Sequence, residues 1–186
     1  MTLPDPSPIR AADVVAFWRD AGPERWFRRD DDFDARFRDR FLHAHEQAAR
    51  GELADWERNA EGSLALLILL DQFPRNAFRG SARTFATDAA ARELARRALA
   101  AGHREQVEPA LRRFFHLPFT HSESLADQDQ AVALARELDA DSLKWAEHHR
   151  DIVARFGRFP HRNDVLGRES TAQEQAFLAE GGFGGG

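Results

Sequence analysis

Arg158, His161, Arg162 and Asn163 place four hydrogen-bonding side chains within six residues, in the stretch Phe156-Gly157-Arg158-Phe159-Pro160-His161-Arg162-Asn163. An arginine presents a rigid fork suited to carboxylate or phosphate, and Phe159-Pro160 fixes the backbone that carries it. A shorter echo, Asp71-Gln72-Phe73-Pro74-Arg75-Asn76, follows the most apolar run of the chain. A third proline-centred corner is Leu117-Pro118-Phe119-Thr120-His121-Ser122-Glu123. Each reads as a helix that stops at a corner and presents polar groups behind it.

At the end of an apolar helix, Asp71 faces the negative end of the helix dipole, and a carboxylate there needs a cation or strong donors. Arg75 and Arg79 are local candidates, Arg158 and Arg162 remote ones. His121 and Glu123, two apart, can reach one point in space. His149 shares a face with Trp145, Ile152 and Phe156, where a histidine is either a satisfied core residue or a ligand. Helical hairpins that bring the corners to one end would line a polar, Arg-rich pocket with Asp71, Gln72, Arg75, Asn76, His121, Glu123, His149, Arg158, His161, Arg162 and Asn163. Such a pocket is a binding-site hypothesis. The competing reading of each corner is a brace that clamps helix ends together.

Metal ligation draws on His121, Glu123, His149 and His161. No helical HxxxH or HxxEH pair occurs, His148 and His149 point apart on a helix, and nearby arginines oppose a cation; no metal site is expected. No GxGxxG, phosphate-binding loop or GxSxG motif is present, so no cofactor is expected. Ser122 lies beside His121, but adjacency in sequence does not make a catalytic dyad.

The elements that must position these groups are helical. With 186 residues the chain is long enough for one domain with a sizeable core. Apolar residues make up 42% and charged residues 31%, the balance of a soluble globular chain. Fifteen Phe and four Trp, with no Tyr and a single Met, make Phe the main large core residue. The absence of Cys excludes disulfides, thiol nucleophiles and Cys-based metal sites, and is compatible with a reducing cytoplasm, the expected location. A net charge of −5 argues against nucleic acid as a partner. The longest strictly apolar run, Leu64–Leu70, is far short of the ~20 residues that span a bilayer, so no membrane partner is expected. The first residues lack the basic and apolar regions of a signal peptide.

In chain order, a terminal arm over 1–8 leads to a first helix opened by Pro8 and ending near Asp20. A second runs from the acidic cap Asp30-Asp31-Asp32 to Gly51, with Phe33, Phe37 and Phe41 recurring at i, i+4, i+8 on one stripe. Leu53–Phe73 reads as a central helix that is apolar all round and ends at Pro74, followed by an ordered loop over Arg75–Thr84. Further helices are expected over Asp88–Ala101 and Glu105–His116, after Ser122 or Ser124, and from Asp141 or Ser142 to Phe156. A short last helix starts with a Thr171/Glu174 capping box. Gly181–Gly186 reads as a flexible tail tethered at Phe183. The sum is an all-α fold of about eight helices in antiparallel hairpins, one domain over 1–186, without clean sequence repeats.

With these stretches in view, the chain resembles the bacterial family of domain of unknown function 924. The resemblance rests on Leu67–Asn76, Phe85-Ala86-Thr87-Asp88, Leu117–Glu123, Gln128, His149 through Asn163, and Val165–Thr171, and spans roughly Asp13 to Phe183. Thr120 departs from the Glu expected at that position. The resemblance implies an all-helical, tetratricopeptide-like fold and no established activity. Three functional readings follow. The first is a binding module for a small anionic ligand or an acidic peptide. The second is an enzyme using His121, Glu123 and His161 for acid–base work with Asp71 orienting one histidine. The third is a scaffold whose corners only brace the fold.

Overall fold

The all-round apolar run lies at the centre of the fold. Leu64, Ala65, Leu66, Leu67, Ile68, Leu69 and Leu70 are all buried. The computed structural model describes residues 9–183 and is helical, with no strand among them. Chain order is α1 (Ala11–Ala21), α2 (Pro23–Trp26), α3 (Asp31–Ala49), α4 (Ala60–Leu67), α5 (Phe73–Ala77), α6 (Asp88–Ala100), α7 (Leu117–Thr120), α8 (Leu125–Arg136), α9 (Ala140–Phe156) and α10 (Ala172–Ala179). Tighter 3₁₀ turns occupy Ala54–Arg58, Ala82–Phe85, Arg104–Gln106, Pro109–Phe115 and Pro160–Arg162.

Packed around α4 and α5 are α1, α3 and α6. The stripe on α3 meets this centre: Phe33, Phe37 and Phe41 are buried, and Phe37 lies 5.1 Å from Phe73 edge-on. Trp18 of α1 lies 5.3 Å from Phe37 with its plane tilted by 33° and meets Phe114 edge-to-face at 5.6 Å. Burying each such ring contributes roughly 1.5–3 kcal/mol. α8 and α9 pack against one another. A separate apolar cluster, Ile152, Val153 and Phe159 with Phe156, Phe177 and Phe183, ties α9 to the C-terminal segment.

Caps follow the chemistry of the sequence. Asp30 accepts from the Phe33 amide at 3.0 Å, Asn59 from the Gly62 amide at 2.9 Å, and Asp139 from the Ser142 amide at 2.7 Å. Thr171 and Glu174 form the expected capping box on α10.

Several boundaries differ from the sequence reading. Pro8 and the arm over 1–8 lie outside the described residues, as do 184–186 of the glycine tail. Helix α1 starts at Ala11, behind Arg10 and its bond to Asp13. The Leu53–Phe73 helix is broken near its start: Ala54–Arg58 is a 3₁₀ turn, and α4 begins only at Ala60. Pro74 does not end the helix, which runs on to Ala77. Glu105–His116 is two 3₁₀ turns rather than one helix, because Pro109 has no amide to continue the ladder. Of the residues expected on the inner face of α9, Ile152 is buried but Trp145 is 46% exposed, and Ala146 and Val153 are buried as well.

Candidate functional site

Between α4 and α5 the backbone widens into a π-helical turn, Ile68–Gln72, in which the Phe73 amide reaches back to the Ile68 carbonyl. Pro74 then has no amide to offer. Three consecutive carbonyls are taken by side chains from other elements or the next turn. His45 of α3 donates to Leu69 O at 2.8 Å, Thr87 to Leu70 O at 2.6 Å, and Arg75 to Asp71 O at 2.8 Å. The widened turn puts two successive polar residues inside: Asp71 is 1% exposed and Gln72 4%. Such turns recur at functional sites.

Asp71 collects three donors. Gln72 Nε2 lies 2.7 Å away, His121 Nδ1 2.8 Å and Arg75 Nη1 3.1 Å. Burial by itself would raise the carboxyl, but the Arg75 guanidinium, His121 and the two side-chain hydrogen bonds outweigh it and hold Asp71 below its ordinary range. Arg75 also forks onto Asp88 with bonds of 2.9 and 3.1 Å. Arg162 approaches the same Asp88 at 3.6 Å, donates to His121 O at 2.9 Å, and lies over the rings of Phe85 and Phe159 at 4.4 and 4.5 Å. Burial and the neighbouring Arg75 lower Arg162 to about 10, so it stays charged. Two carboxylates, Asp71 and Asp88, and two guanidiniums, Arg75 and Arg162, thus balance one another.

Three imidazoles, His121, His149 and His161, adjoin this network. An ionised carboxylate only accepts, so His121 carries its proton on Nδ1 and its lone pair on Nε2. The same logic applies to His149, whose Nδ1 donates to Trp145 O at 2.7 Å. Their ring centres are 6.5 Å apart. His161 Nδ1 is buried with no partner. All three are pushed toward the neutral form. His149 falls to about 3, chiefly by burial, and His161 to about 3 by burial and then Arg162. His121 is lowered by burial and Arg75 against the pull of Asp71. Among the described residues, no three His, Asp, Glu or Cys side chains gather as metal ligands.

Asp71, Gln72, Arg75, His121 and Arg162 therefore form one connected network, with His149 and His161 beside it. The remaining candidates serve other bonds. Glu123 is forked by Arg168 at 2.8 and 2.9 Å and accepts from the Phe159 amide at 2.8 Å. Arg158 forks onto Glu174 at 2.6 and 2.8 Å and reaches Glu169 O. Asn163 donates to Ser170 at 3.0 Å. Asn76 donates to Asp34 at 2.7 Å, where Arg79 also binds.

Three contributors were not assigned from sequence. Asp88 read as a helix start, and Arg168 as part of a family motif without a partner. Phe183, whose ring stacks 3.8 Å from His161, read only as a tether. The available signal for Phe183 was one aromatic among glycines.

Comparison with curated proteins gives no match. Among solved structures the chain is similar to a protein of unknown function, ATU0120, from Agrobacterium tumefaciens. The two are 54% identical over 92% of this chain and 97% of the other, with a TM-score of 0.90. The family described as bacterial protein of unknown function (DUF924) matches residues 14–182. That match takes in the π turn, all three proline corners and every imidazole of the cluster: the chain belongs to the DUF924 family.

Proposed function

We propose that this chain is a helical small-molecule binding protein whose site is the cluster of His121, His149 and His161, and whose ligand is a weak acid. The observation that supports it is the 2.8 Å bond from His121 Nδ1 to buried Asp71. That bond fixes the tautomer and leaves His121 Nε2 as a proton acceptor. An acid that gives its proton to Nε2 becomes an anion beside an imidazolium, and Asp71 stabilises the imidazolium from behind. Net charge in the site does not change on entry of the neutral acid. This narrows the expected anionic ligand. Arg75 and Arg158 are committed to Asp88, Asp71 and Glu174, so their forks orient and brace, and the ligand's charge is matched by His121.

Isothermal calorimetry with acetate and benzoate as probes, in two buffers of different ionisation enthalpy, tests this. At neutral pH each anion is expected to bind with uptake of close to one proton, and His121→Gln to abolish that uptake while remaining folded. At 100 times its Kd a probe stabilises the wild type by about 2.7 kcal/mol. Absence of binding in the wild type, or uptake that survives in His121→Gln, overturns the reading. The same carboxylate–imidazole pair favours a second reading, an enzyme in which His121 is general base; it requires a bound acid whose proton leaves the site rather than returning to it.

A further inference from the structure

We infer that the site contains a slot for a planar aromatic ring, filled in this structure by the chain's own Phe183, so that the acid it takes is an aromatic one. The acid part rests on the reading above; the slot rests on its own geometry. The phenyl ring of Phe183 stacks on His161 at 3.8 Å with planes 24° apart. His149 meets it edge-on at 5.2 Å, Phe159 edge-on at 6.2 Å, and His148 lies at 6.3 Å. Four rings therefore surround one: His161 stacked, His149 and Phe159 edge-to-face as aromatic pairs prefer, and His148 tilted.

The backbone delivers Phe183 by a path that needs its glycines. Gly181 turns with φ +76°, a conformation costly for other residues. A Cβ on Gly182 would stand 2.3 Å from the Phe177 ring. The Gly181 and Gly182 amides bond to Leu178 O at 3.1 Å and Phe177 O at 2.9 Å, closing the end of α10.

The fit is incomplete in one respect that indicates what belongs there. His161 Nδ1, on the ring that stacks with Phe183, is buried without a hydrogen-bond partner. A hydrocarbon ring cannot satisfy it, and an unpaired buried group is costly. An aromatic ring bearing a carboxyl or acidic hydroxyl keeps the stacking and supplies the missing partner. Phe183 is then a plug that such a ligand displaces.

The test uses benzoate and acetate with wild type, Phe183→Ala and Phe183→Leu, each checked for a helical circular dichroism spectrum. A ligand that competes with a plug shows an affinity reduced by the fraction of open molecules. If the plug is seated nine-tenths of the time, its removal tightens benzoate about 10-fold. The expected result is that gain for benzoate in Phe183→Ala, a smaller gain in Phe183→Leu, and no change for acetate. Carbethoxylation of His161 by diethyl pyrocarbonate, read by mass spectrometry, is expected to accelerate in parallel. Benzoate affinity in Phe183→Ala equal to or weaker than wild type overturns the slot, as does unchanged protection of His161. A benzoate gain without proton uptake would retain the slot and remove the acid reading, so the two failures are distinguishable.

Discussion

Asp71 is a buried carboxylate supported from three sides, and the worth of those supports differs. Removing its charge with Asp71→Asn leaves Arg75 facing one carboxylate instead of two. Breaking a buried pair typically costs about 3–5 kcal/mol, and retention of the Asp88 fork places this one at the lower end. Urea denaturation is expected to show a lower midpoint at unchanged slope; a midpoint equal to wild type would mean that Asp71 contributes no net support. The imidazoles add a pH dependence whose sign follows from their direction. His149 and His161 titrate near 3 in the folded chain, against about 6.5 unfolded. Between those values the unfolded chain binds more protons, so stability is complete above about 6.5 and declines as pH falls toward 3. The groups facing them act within this balance: Trp145 O, His121 and His148 around His149, and Arg162, Glu123, Arg75 and His121 around His161. Each histidine contributes a slope of at most about 1.4 kcal/mol per pH unit. Melting temperatures from pH 7.5 to 5 are expected to fall, and the double variant His149→Gln/His161→Gln to flatten the curve; a wild-type curve that is already flat would refute the neutral cluster. At this scale the sequence was partly legible. That Asp71 needs a cation follows from its place in an apolar helix. That His121, fifty positions away, supplies another donor depends on how α7 meets the π turn, and Arg162, a remote candidate for Asp71, binds Asp88 instead.

The π turn depends on donors from outside its own helix. Thr87→Val keeps the shape but leaves Leu70 O unpaired in the interior, at a cost of about 1–3 kcal/mol. Thr87→Ser retains the hydroxyl and is expected to lose much less; equal losses in the two variants would assign the effect to packing instead. A second prediction belongs to the entry of α4. A Cβ on Gly62 would lie 1.9 Å from Trp56 O, a backbone atom that cannot swing aside. Gly62→Ala therefore separates the Ala54–Arg58 turn from α4 and destabilises by at least the 1–3 kcal/mol usual for overpacking, measurable as a fall in melting temperature; a Gly62→Ala protein as stable as wild type would contradict this packing. These elements also show where sequence reading stops. Proline ends a helix when its missing amide leaves orphan carbonyls. Here His45 and Thr87 reach in from α3 and the start of α6, so the chain runs on to Ala77. Local sequence contains no sign of donors that arrive from 17 and 24 residues away.

Across the whole molecule, periodicity made the helices and the Phe33/Phe37/Phe41 core face legible, because burial and spacing are local properties of one helix. The way the corners meet was not, because it depends on ion pairs between distant segments. One of these holds the C-terminal segment to the rest, and a second closes that segment on itself. Arg168 forks onto Glu123, across from α7 to the stretch beyond the Pro160–Arg162 turn, and Arg158 forks onto Glu174 of α10. Their members differ in exposure: Glu174 is 3% exposed at its side chain, whereas Glu123 and Arg168 are 28% and 24%. The Arg168 pair is partly screened, so its loss costs about 1 kcal/mol, and the global melting temperature is expected to move little. The effect should be local. Glu123 also accepts from the Phe159 amide, so releasing it frees the turn that carries His161 and Arg162 and the ring beneath Phe183. In Arg168→Ala, amide hydrogen exchange is expected to accelerate over 157–183 while α3 and α4 keep their protection, since local opening is set by local contacts rather than by total stability. Arg168→Lys should rescue only in part, because a single ammonium cannot reproduce two parallel bonds. Uniform acceleration across all helices would mean that the segment unfolds together with the core, and that the imidazole cluster has no independent opening through which a ligand enters.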